Sequence, residues 1–228
     1  MKYVDVKNTL GKHFCVGSFS IILAVLLNYF SEAGWSTAFA RVSFFLLFLT
    51  LIIGPIMRLR KPKKEFSVFK KPWTWRGELG IWFVITALLH FYFAMNHSFI
   101  GGTLIGALGG GIGGGGLGIA NLLGLIALVL SLILAATSFN KVIKYLGIKS
   151  WKWIQSFTYV VFYLVIGHLI YFQFFTTHGS GPDWFGYTSI IMFIIILILQ
   201  ISAFIKTVKE YRKERSEENS QEESGKEE

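Results

Sequence analysis

Apolar residues run almost unbroken along this chain six times, at roughly 14–30, 38–57, 79–96, 119–138, 154–175 and 185–205, with most charged residues between or beyond the runs. A helix rises about 1.5 Å per residue, so about 20 such residues cross a hydrocarbon core of about 30 Å. The pattern predicts an all-α fold, a polytopic membrane protein built as a six-transmembrane-helix bundle. The first run follows Lys2, Lys7 and Lys12 in the manner of a secretory signal. A second run begins only a few residues later, so the first is read as an uncleaved span. The expected organisation is a cytoplasmic N-terminus at 1–13, the six-helix domain at 14–206 with an outer loop at 97–118, and a charged cytoplasmic tail at 207–228.

Composition strengthens this reading, because 53% hydrophobic against 15% charged residues is too apolar for a soluble domain of 228 residues. The net charge of +9 would fit nucleic acid if it formed one patch. Instead it falls in alternate loops. Arg58, Arg60, Lys61, Lys63, Lys64, Lys70, Lys71 and Arg76 lie between the second and third runs, and Lys141, Lys144, Lys149 and Lys152 between the fourth and fifth. The stretches 31–37, 97–118 and 176–184 hold no Lys or Arg. Basic residues in short loops stay inside, so both termini are expected in the cytoplasm of a multi-pass cell-membrane protein, with the lipid bilayer as partner and no nucleic acid. A single Cys15 excludes an internal disulfide and a thiolate metal cluster.

Two segments lie outside the helical pattern. The run GGTLIGALGGGIGGGGLG, 101–118, lacks the Lys-Ser/Thr ending and the preceding strand of a phosphate-binding loop. It is either a flexible linker or an outer cap over the helix ends. The tail SEENSQEESGKEE is acidic and free of aromatics, a composition that predicts disorder.

Ionisable groups inside spans are costly and mark functional sites. Of five histidines, His13 lies at the inner edge of the first span, His97 and His178 at the outer surface, and only His90 and His168 well within helices. His90 is 14 residues beyond Arg76 and His168 is 16 beyond Lys152, rises of ~21 Å and ~24 Å. Both imidazoles therefore lie at one depth, in the outer half. Paired neutral imidazoles on different helices suit the axial positions of a b-type haem; two independent hydrogen bonds across helices are the other reading. Ala87 and Ala94 flank His90 on one helical face, and Gly167 adjoins His168, leaving room for a flat macrocycle.

The segments GELGIWFVITALLHFYF and NLLGLIALVLSLILAATSFNKVIKYLGIKSWKWIQSFTYVVFYLVIGHLIYF resemble the ferric reductase-like transmembrane domain family, most closely its MsrQ/YedZ-like haem-binding membrane subunits. The resemblance covers roughly residues 33–175. It implies haem b held through iron by His90 and His168, and electron transport from a cytoplasmic flavin (FMN) or a quinone pool to an external acceptor. The donor would be a flavin reductase or a quinol, and the acceptor a separate redox partner protein, with this chain as membrane subunit of an oxidoreductase. Two-haem members of the wider superfamily carry inner histidines at the positions of Arg76 and Gln155, so one haem is expected. Arg41 and His97 are candidates to approach the haem propionates, Arg41 otherwise snorkelling to lipid headgroups, and Tyr171, with Trp82, Tyr92 and Tyr163, either lines the pocket or packs. Glu78 is either a proton acceptor for a quinol or an interfacial side chain in contact with Arg76 or lipid headgroups. Trp73 and Trp75 in the basic loop could stack a flavin, but positive-inside anchoring and an aromatic belt explain the same residues more simply. The competing class is a haem-free membrane scaffold or partner-binding subunit of the same fold; a small transporter is a third.

Overall fold

A computed structural model describes residues 6–31, 34–60, 75–101, 117–175 and 181–224. Among them there is no strand. The helices are α1 (Val6–Phe30), α2 (Trp35–Leu59), α3 (Arg76–Gly101), α4 (Leu117–Ala136), α5 (Asn140–Leu146), α6 (Ile148–Ser156), α7 (Thr158–Ile170) and α8 (Trp184–Ser224), with a π-helical turn over Tyr171–Phe175 after α7. Six helical segments are long and apolar enough to cross a membrane: Leu10–Phe30, Trp35–Leu59, Arg76–Asn96, Gly118–Ala136, Ile148–Phe175 and Trp184–Glu217. The chain has the architecture of a multi-pass membrane protein. Residues 102–116, most of the glycine run, lie outside the described residues, as do 61–74 of the basic loop and His178.

α2 is the central post. Ala38, Val42, Leu46 and Leu47 on it are fully buried, and it packs against α1, α3, α7 and α8. α4 lies to one side, joining α3 to α7. Large apolar residues on the other faces stay exposed, among them Phe14, Ile21, Ile22, Ile126, Ile133, Ile191 and Ile198. Such faces are stable only against lipid. Hydroxyls within the spans satisfy themselves locally: Ser20 donates to the Val16 carbonyl at 2.7 Å, Thr50 to Leu46 at 2.8 Å and Ser131 to Ala127 at 2.6 Å. That back-bonding removes the cost of a polar group in hydrocarbon.

Two elements differ from the pattern. The fifth apolar run is interrupted, since α6 ends at Ser156 and α7 begins at Thr158; its approach turns at Gly147, whose φ of 76° favours glycine. The acidic tail is helical through Ser224 rather than disordered. Lys and Glu are good helix formers, no Pro or Gly interrupts the sequence from Tyr187 to Ser224, and Lys206–Glu210 and Lys213–Glu217 pair at i,i+4.

Candidate functional site

His90 is on α3 and His168 in the last turn of α7. Their rings meet with centroids 6.4 Å apart and planes inclined at 69°. α3 packs chiefly on α1, α2 and α4, and α7 on α2, α4 and α8. The two rings thus meet across an interval that neither helix fills by packing directly along the other.

Each ring is oriented by a backbone carbonyl. His90 Nδ1 is 2.9 Å from the Ser36 carbonyl of α2, and His168 Nδ1 is 2.7 Å from the Ala120 carbonyl of α4. A carbonyl only accepts, so Nδ1 carries the proton in both rings, and in a neutral imidazole the lone pair then resides on Nε2. Ser36 adds a second tie, its hydroxyl donating to the His90 carbonyl at 3.3 Å and lying 3.0 Å from Nδ1. This is the arrangement by which proteins hold a metal-ligating histidine, with the outward nitrogen free to coordinate.

Gly124 of α4 makes room for the second ring. A Cβ there would lie 2.8 Å from both Cε1 and Nδ1 of His168. Phe172, at the π-helical turn, packs edge-on against the same imidazole with centroids 4.9 Å apart. Single π-helical turns recur at functional sites because they reset the helical phase; here the reset falls directly after the last turn that carries His168.

The donor set would suit a haem: two neutral imidazoles, each with a lone pair on Nε2, approach with ring centroids 6.4 Å apart, and an iron between them would be held by His90 and His168. Among the described residues no three His, Cys, Asp or Glu side chains gather to hold a bare ion. Two imidazoles form a complete protein ligand set when a macrocycle supplies four nitrogens.

The remaining candidates separate. Ala87 packs against the core beside His90, and Tyr171 stacks on Phe175 with centroids 5.6 Å apart. Ala94 is half-buried on α3, and His97 lies in the last part of that helix, beyond the residues whose side chains are described. For Arg41, a propionate and a lipid headgroup are the partners the sequence offers; the structure gives it Asp183. The buried guanidinium forms an ion pair with that carboxylate, donates to Ser31 Oγ at 2.8 Å and lies over the rings of Trp184 and Phe185. Asp183 also accepts from the backbone N–H groups of Phe185 and Gly186 at 2.9 and 3.0 Å, capping α8.

At the other end of the bundle, Gln155 Nε2 lies 3.2 Å from each of the Leu134 carbonyl, Thr137 Oγ1 and Ser138 Oγ. It ties α6 to the C-terminal end of α4. Arg76 lies against Gly54 of α2, with Nη1 3.9 Å from where a Cβ would stand. Glu78 is buried, and its Oε2 and Trp82 Nε1 have no hydrogen-bond partner among the described residues. Trp82 packs so closely on Gly17 of α1 that no Cβ fits there. Sequence reasoning did not single out Ser36, Ala120, Gly124 or Asp183. Gly124 carried a signal, a glycine inside an apolar helix; a backbone carbonyl carries none.

Comparison with protein-family models and with curated proteins returns no match. The likeness to the ferric reductase-like family therefore rests on the segments quoted above.

Proposed function

We propose that this chain is a b-type haem membrane protein of the ferric reductase-like kind, which carries electrons singly across part of the membrane. The observation that supports this most is the pair His90 and His168, on separate helices with ring centroids 6.4 Å apart, each protonated at Nδ1 by virtue of a carbonyl partner. Haem bound there supplies a one-electron iron couple. The protein's part is to hold two neutral Nε2 donors in fixed orientation, to keep the rings away from bulk water within the bundle, and to prevent either ring from turning over. Ser36 and Ala120 perform the last task, since rotation of a ring would leave a carbonyl without its donor.

One haem per chain is expected, because Gln155 serves as a helix tie and an Arg cannot replace imidazole at position 76. The Lys/Arg bias of the loops orients both termini to the cytoplasm of a cell membrane and the histidine pair to the outer half. A cytoplasmic flavin or a quinol is then the donor, and an external acceptor or partner oxidoreductase receives the electrons. A second reading, a haem-free scaffold, draws on the same hydrogen bonds: each His links two helices, α3 to α2 and α7 to α4. A visible spectrum of the detergent-purified chain before and after dithionite separates the two. Sharp reduced bands lost on replacing either histidine support the haem protein, and a featureless spectrum from haem-replete cells supports the scaffold.

A further inference from the structure

A cavity lies away from the histidine pair, among α2, α7 and α8. Its volume is about 310 Å³, and its lining includes Gly54, Pro55, Arg58, Tyr159, Gln200 and Phe204. That is near the lower limit for a small-molecule site, sufficient for a headgroup but not for a whole lipid.

The polar groups around it are donors. Arg58, at the wall, has no ion-pair partner among the described residues. The amide of Gln200 donates to the Tyr159 hydroxyl oxygen, which leaves the phenolic hydrogen of Tyr159 available. Thr207, also at the wall, is engaged with the Ala203 carbonyl at 2.9 Å. Among the described residues no carboxylate lines the cavity. Such a lining favours a ligand that only accepts and is negative, and guanidinium groups match phosphate oxygens in bidentate fashion.

The surroundings are lipid-facing. Phe204 at the cavity wall is 69% exposed, and Ile201 and Ile205 beside it on α8 are exposed too. Lys206, close by on the same helix, holds the end of α2 in place by donating to the Arg58 and Leu59 carbonyls at 3.0 and 3.1 Å. A headgroup seated here has an apolar helix flank beside it for its acyl chains. Basic pockets between membrane helices recognise anionic lipid headgroups in this way.

We infer that this cavity is a binding site for the phosphate-containing headgroup of an anionic phospholipid, with Arg58 as its charge contact and Tyr159 as a neutral donor. The test uses the full chain in mild detergent, with native mass spectrometry after addition of phosphatidylglycerol or phosphatidylcholine of matched acyl chains. The expected result is one retained phosphatidylglycerol per chain and loss of phosphatidylcholine on the same wash. Arg58→Gln should weaken retention about fivefold, the equivalent of one surface cation near an anionic lipid, and Arg58→Lys should restore most of it; Arg58 is exposed, so neither change disturbs the core. Equal retention of the two lipids, or no effect of Arg58→Gln, overturns the proposal. Displacement by inorganic phosphate as effective as by soluble lipid would assign the site to free phosphate instead and also overturn it.

Discussion

The two ends of the bundle use polar side chains on similar helices for opposite purposes. At one end, His90 and His168 each give one ring nitrogen to a carbonyl of a neighbouring helix, which leaves a lone pair on the other nitrogen. At the other end, Gln155 places its amide nitrogen among three acceptors around the end of α4. Glu78, in the first turn of α3, is buried with an oxygen unpartnered among the described residues. A histidine bridging two helices retains a nitrogen lone pair after its structural bond is made; a glutamine tied through its nitrogen retains only its amide oxygen, a donor that suits hard cations rather than haem iron. Among the described residues the paired imidazoles lie at one end of the bundle.

The most severe way to break this comparison is to remove a ring. His90→Ala or His168→Ala should reduce haem content from about one per chain to near zero by pyridine haemochrome assay, whereas His13→Ala leaves it in place. A normal reduced b-type spectrum in either core variant would falsify the axial assignment.

Asp183→Asn tests stability at the histidine end without touching the rings. Arg41 is 6% exposed and would lose its counter-charge. The cost should be roughly 2–3 kcal/mol, below that of a fully buried pair because Asp183 is 37% exposed. Thermal unfolding should show the loss while haem stoichiometry at low temperature is unchanged.

Gly124→Ala sharpens the comparison, because the added methyl would press on Cε1 and Nδ1 of His168 at 2.8 Å. Overpacking of this kind costs roughly 1–3 kcal/mol. Haem affinity should fall by about tenfold, a difference of about 1.4 kcal/mol, as measured by haem titration of the apoprotein. Unaltered affinity would mean that the ring moves aside freely and that Gly124 does not position it.

The smallest effect belongs to Gln155→Ala. Loss of a helix tie should cost about 1 kcal/mol, a shift in melting temperature of ~2–4 °C for a chain of this size, with no change in the haem spectrum. A lost or altered haem band in this variant would show that the two ends are coupled.

Some of this is legible in the sequence, and the rest is hidden there for physical reasons. Six apolar runs mark the spans because hydrocarbon thickness dictates helix length, and six such helical segments are present. Distance along the chain from the basic loops puts His90 and His168 at one depth, and their rings meet. The carbonyls of Ser36 and Ala120 have no signature, since every residue supplies one. Arg41 and Asp183 are 142 positions apart, and no local pattern joins them. The interruption at Phe157 has no Pro or Gly to announce it. The tail is obscured because charge density predicts disorder while i,i+4 pairing favours a helix.

α8 has a mechanical consequence of its own. Its 41 residues extend for about 60 Å, twice the thickness of a hydrocarbon core of about 30 Å. About half of its length thus exceeds what a hydrocarbon core requires, and basic residues predominate before acidic ones along that half. Lys206, Lys209, Arg212, Lys213 and Arg215 come first, with Glu210 and Glu214 among them, and Glu217, Glu218, Glu222 and Glu223 come last. A basic collar next to an anionic lipid surface is attracted to it, while an acidic tip beyond the Debye length of ~8 Å feels little of that field. A helix longer than the core it crosses would therefore be held at its basic collar, with the acidic residues following further along the same axis.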